Sequence, residues 1–73
     1  MTAEEFDELS FHKGMVVHYL EPKTVNTKIP TKILKASIAR VEFNGIERGG
    51  GVLFQDSKGY YTFIHYSRIV SIE

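Results

Sequence analysis

Residues 31–56, TKILKASIARVEFNGIERGGGVLFQD, decide the fold. From Thr31 to Phe43 apolar and polar residues alternate, as in a strand with one buried face, but the phase changes partway. Leu34, Ala36 and Ile38 hold one alternation, and Val41 and Phe43 hold the other. A β-bulge near Ala39-Arg40 returns both sets to one face, because a bulge sets two residues against one and bends the strand. A long strand that bends to serve both halves of a sheet is what a small barrel requires. Asn44-Gly45 reads as a hairpin turn, since a type I′ turn needs positive φ at both central positions. The returning strand covers Ile46 to Gln55, interrupted by Gly49-Gly50-Gly51. Glycine inside a strand marks a bend, a bulge or close approach of another backbone. A phosphate-cradling loop is excluded, since it needs a helix to follow and a strand follows instead.

Working outward, Asp56-Ser57-Lys58-Gly59 predicts a second hairpin loop, and Tyr60 to Tyr66 the third strand of a meander spanning 31–66. Ser67-Arg68-Ile69 fits one turn of 3₁₀ helix and Val70-Ser71-Ile72 a short closing strand. Upstream, Thr2-Ala3-Glu4-Glu5 fits a capping box, which starts a short helix over residues 3–10. Phe6 and Leu9 share its apolar side, expected to lie on the barrel or cover an open end. Gly14 breaks the chain before a strand at Met15 to Leu20, and Pro22 and Pro30 bracket a long polar loop at 21–31. The expectation is one mainly-β domain over residues 1–73, a five-stranded small barrel with a short N-terminal α-helix. Its predicted core is Val17, Leu34, Ile38, Val41, Val52, Phe54, Phe63, Ile69 and Ile72.

A chain of 73 residues buries only about 60% of its unfolded surface, so small domains add disulfides, a metal or a partner subunit. Without cysteine the first route is closed, and homo-oligomerisation is the default expectation. The formal net charge is zero, but it is unevenly spread. Glu4, Glu5, Asp7 and Glu8 give residues 1–11 a charge of −4. Lys13, Lys23, Lys28, Lys32, Lys35 and Arg40 against Glu21 give residues 12–40 a charge of +5. No apolar run approaches the ~20 residues of a membrane span. The acidic N-terminus lacks the basic and apolar regions of a signal peptide, so a cytoplasmic location and no membrane partner are expected.

No catalytic constellation is legible. Nucleophilic catalysis needs a nucleophile beside a positioned base, and no serine sits in such an elbow. His12, His18 and His65 lie on different elements without metal-ligand spacing. The reading is therefore a non-enzymatic binding module with no cofactor and no metal. Its aromatics are plentiful, and on the last long strand Tyr61, Phe63 and His65 alternate with Tyr60, Thr62, Ile64 and Tyr66. Both faces cannot be core in so small a domain, so some of these rings stay exposed. Exposed rings interleaved with lysines suit base stacking. They equally suit a protein interface, as in an adaptor or inhibitor. The basic middle third favours single-stranded RNA or DNA, with Lys28, Lys32, Lys35 and Arg40 on phosphates and Tyr60, Tyr61 or Tyr66 stacking or packing.

Asn44-Gly45-Ile46, followed by Gly50, Val52 and Asp56, matches the spacing N-G-I-x-x-x-G-x-[IV]-x-x-x-D. In this the chain resembles the Sm-like family, specifically its bacterial RNA-chaperone branch. Residues 61–72 are loosely similar to that family's closing segment, with His65 at the place of its histidine. Ser57-Lys58-Gly59 stands where the family carries a further strand, and Ile64 where it has lysine. The long first loop is more similar to that of SH3 domains, although tryptophan is absent. The resemblance implies an SH3-like or Sm-like small barrel and, through the Sm-like branch, contact with RNA.

Overall fold

The computed structural model describes residues 1–21 and 32–73. The expected long loop at 21–31 lies outside the described residues except for Glu21. Among the described residues the elements run α1 (Ala3–Glu8), β1 (Val16–Leu20), β2 (Ile33–Gly45), β3 (Gly51–Asp56), β4 (Tyr61–His65), a 3₁₀ turn (Tyr66–Arg68) and β5 (Ile69–Ile72). All ladders are antiparallel, in the order β4-β3-β2-β1-β5. The 3₁₀ turn carries the chain from one edge of this sheet to the other. At about 2 Å rise per residue it spans only about 6 Å, so the sheet is curled until the ends of its outer strands approach. No ladder joins β4 to β5 among the described residues, and the sheet is open.

β2 bends where its alternation changes phase. Ile38 pairs with Asp56 and Arg40 with Gln55, so Ala39 is the extra residue of a bulge. Ile38 is buried and Val41 packs against the same core on the far side of the bend. A second bulge follows at Glu42, because Val41 pairs with Phe54 and Phe43 with Leu53. It turns Phe43 to the outer face, whereas the alternation alone places Phe43 inside.

The first hairpin also departs from expectation. Asn44 and Gly45 remain in the ladder, opposite Val52 and Gly51, and the turn is made by Ile46 to Gly50. The Arg48 amide donates to the Gly45 carbonyl at 3.2 Å and the Gly50 amide to the Ile46 carbonyl at 3.1 Å. Gly49 and Gly50, at φ +80° and +72°, supply the left-handed residues that close it. β3 therefore starts at Gly51, not Ile46. The second loop is as expected: the Asp56 carboxylate accepts from the Lys58 and Tyr60 amides, both at 2.9 Å.

The core is Phe6, Phe11, Val17, Ile38, Val52, Phe54, Ile64 and Ile69, with Val41, Tyr66 and Ile72 packed against it. Two expected members are corrected. Phe63 is 41% exposed and Leu34 37%, whereas Ile64 is fully buried. The register explains β4: Ile64 pairs with buried Val52, while Phe63 pairs with half-buried Leu53 on the outer side. α1 begins with the expected capping box, Thr2 and Glu5 bonding reciprocally. Its Phe6 ring meets Phe11 at 5.4 Å and Tyr66 at 6.2 Å, so the helix covers the end of the sheet where the 3₁₀ turn crosses. Arg68 fixes that crossing from the far side, donating from Nε and Nη2 to the Leu20 carbonyl at 3.0 and 2.9 Å.

Candidate nucleic-acid interface

The two bulges of β2 set up the outer face of β2, β3 and β4. The bulge at Ala39 brings Arg40 opposite Gln55, which is paired on its other side with Tyr61. Arg40 Nη2 then reaches across β3 to donate to the Tyr61 hydroxyl at 3.2 Å. The bulge at Glu42 brings Phe43 into line with Leu53 and Phe63, and the Phe43 and Phe63 rings stand 6.4 Å apart. The Arg48 guanidinium, in the turn, lies 5.6 Å from the Phe43 ring centroid, within cation–π range. Beneath Phe63 the backbone is glycine: a Cβ on Gly51 would lie 2.6 Å from Phe63 Cζ and 2.5 Å from the Ile64 carbonyl oxygen. The triple glycine thus closes the turn and lets β4 and its outer ring come close to β3. The result is a sheet surface with Tyr61 and Phe63 exposed and Phe43 half-buried, flanked by two guanidinium groups.

Arg40 also forms an ion pair with Glu42. The hydrogen bond to Glu42 and the charge of Glu42, with a smaller contribution from Tyr61, push the Arg40 pKa further up, so its charge is fixed. The surface ends at α1, where Glu4, Asp7 and Glu47 line a cleft of about 510 Å³. Three carboxylates there against Arg48 alone make that end unfavourable for phosphates.

The other expected site residues are divided. Lys35 and Tyr60 meet in a groove of about 580 Å³ between the first half of β2 and the second hairpin loop, with Lys58, Leu34 and Tyr19 also lining it. Tyr60 is 70% exposed there. Lys32 is exposed beside Glu21, whose amide donates to the Lys32 carbonyl at 3.0 Å. Tyr66 is not on the open surface. It packs between Phe6 and the His65 ring, 4.3 Å away. Lys28 lies outside the described residues. Phe43, Phe63 and Arg48 join Arg40 and Tyr61 although the sequence did not single them out as site residues. The signal for Phe63 lay in β4 itself, where Thr62 and Ile64 offer an alternative core face.

The histidines occupy separate places. His12 Nδ1 lies 2.9 Å from the Lys13 carbonyl, His18 lies on β1 near Glu73, and His65 Nδ1 accepts from the Ser67 amide as cap of the 3₁₀ turn. β1 and β4 are not neighbours, so His18 and His65 do not meet. Among the described residues no group of three or more His, Asp or Glu is placed to hold a metal, and no helix is long and apolar enough to cross a membrane. In comparisons with family models, with curated proteins and with solved structures, nothing matches this chain.

Proposed function

We propose that this chain is a non-enzymatic binding module for single-stranded nucleic acid, and that the outer face of β2, β3 and β4 is where the strand lies. The observation that carries the reading is the pairing of exposed rings with guanidinium groups on one open surface. Tyr61 and Phe63 are 59% and 41% exposed, and Arg40 is hydrogen-bonded to the first of them. Flat, sequence-tolerant stacking on such rings holds bases, while Arg contacts phosphates. Lys35 and Tyr60, with Lys58, provide a second contact at the other end of β2, and Lys32 adds charge beside it. The curled sheet supports a small-barrel reading of the SH3-like or Sm-like kind, with β4 and β5 facing across the seam. Such a module would work in the cytoplasm as one part of a larger assembly.

The test is a titration with a fluorescent single-stranded oligonucleotide at 50 and 200 mM salt. Each phosphate neutralised contributes a slope of about −0.7 in log K against log salt. Contacts from Arg40 and Arg48 alone therefore give roughly a sevenfold loss of affinity over that range. Tyr61→Ala should weaken binding by ~1–3 kcal/mol, the value of one stacked base, and leave the slope nearly intact. No binding of RNA or DNA at 50 mM salt refutes the proposal. One observation favours a second reading: β4 is an edge strand, and its exposed Tyr61 and Phe63 would also suit an extended protein segment added to the sheet. Binding to such a partner would depend weakly on salt.

A further inference from the structure

We propose that Glu42 is a built-in competitor for the phosphate that Arg40 takes, holding the guanidinium on its own strand until a bound nucleic acid displaces it. This rests on the nucleic-acid reading above and adds a control to the same surface. The bulge creates the arrangement. In a regular strand Arg40 and Glu42 share a face and Phe43 points the other way. With Glu42 as the extra residue, the chain presents Arg40, Glu42 and Phe43 together on the outer side. A bulge re-aims a side chain, and here it sets a carboxylate against the cation on the surface that a nucleotide would use.

The bonding is shared at one atom. Arg40 Nη2 donates to the Tyr61 hydroxyl and to Glu42 Oε1, so the carboxylate occupies the charge at the place where the ring is held. Both partners are accessible, the Arg40 side chain at 63% and Glu42 at 31%, so the pair opens by side-chain rotation without disturbing the core. The contact between His18 Nε2 and the Glu73 carboxylate, at 3.4 Å, lies away from this surface. The exposed cations of the groove, Lys35 and Lys58, are in neither pair. Arg40 is thus the cation on the aromatic surface whose charge is already answered. A phosphate arriving at Arg40 meets the Glu42 carboxylate as a like charge and must replace it.

The experiment compares wild-type protein with Glu42→Gln, using a labelled oligothymidylate at several salt concentrations from 50 to 200 mM. Removing the carboxylate should tighten binding about two- to fivefold, the range an exposed ion pair supplies. The salt slope should stay nearly the same, because Arg40 takes its phosphate in both proteins and the number of phosphates neutralised is unchanged. Glu42→Ser, which also lacks the carboxylate, should behave alike, and its melting curve guards against a folding artefact of either variant. In an Arg40→Ala background Glu42→Gln should lose most of its gain. Glu47→Gln, an equal change of net charge on the neighbouring turn, should give a smaller one. If the wild type binds but both Glu42 variants leave affinity unchanged, or if the gain survives in full in Arg40→Ala or is matched by Glu47→Gln, the role of Glu42 is refuted and the interface stands. If neither wild type nor variant binds the oligonucleotide, the interface itself is refuted, and the role of Glu42 with it.

Discussion

Replacing Ile64 by alanine empties a site that has no solvent exposure and faces Val52 across the β3–β4 ladder. Truncation of a buried isoleucine to alanine costs ~2–5 kcal/mol, the spread reflecting how far the surroundings collapse. Ile64 is among the largest fully buried side chains, so little slack is expected and the upper half of that range applies. At ~0.05–0.15 kcal/mol per residue the whole domain is worth only about 4–11 kcal/mol. Each kcal/mol moves the melting temperature by ~4–8 °C in a domain of this size, so a fall of roughly 14 °C or more is expected. Its neighbour Phe63 gives the opposite forecast. At 41% exposure, with its ring against Phe43 and the glycine turn, it contributes on the order of 1 kcal/mol to stability. Thermal unfolding followed by circular dichroism, with both variants and the parent in one buffer, separates the two. Phe63→Ala melting as low as Ile64→Ala would show that β4 turns its other face inward, and the aromatic surface would disappear with it.

Gly51→Ala should destabilise by ~1–3 kcal/mol, seen as a lower urea midpoint, because the added methyl meets the Ile64 carbonyl oxygen and the Phe63 ring. An unchanged midpoint would mean that the two strands are further apart than described. Thr2→Ala should cost ~0.5–2 kcal/mol by opening the capping box, with the loss appearing in global unfolding because Phe6 ties the helix to the core. If the midpoint holds and only helical signal is lost, α1 docks independently of the sheet.

The bend in β2 was legible because a phase change within an alternating run has few solutions, and a bulge at Ala39 is the simplest. The second bulge was not, since a glutamate at position 42 suits an exposed strand position with or without it. Alternation alone accordingly puts Phe43 on the same side as Val41. The Asn44-Gly45 turn failed through competition: Gly49-Gly50 offers two positive-φ residues as well, and closing there keeps Asn44 and Gly45 in the ladder. On β4 the sequence is apolar on both faces, so Phe63 and Ile64 exchange roles according to their partners on β3, which periodicity does not contain. The same limit applied to the site. Arg40 and Tyr61 were recognisable by residue type, but their contact depends on the register of three strands. Tyr66 was drawn into packing by Phe6, a residue of the remote helix.

The position of β1 has a bearing on how the chain reaches this state. It lies between β2 and β5, and Arg68 reaches back 48 positions to seal its end. Pairing over such separations is slow, since the entropy of closing the chain is lost before the contacts repay it, and folding in milliseconds to seconds is typical of such topologies. During synthesis β1 emerges well before its second partner, which follows only after β2, β3 and β4. Until Ile69 to Ile72 arrive, the free side of Val16 to Leu20 is an unguarded template for another chain.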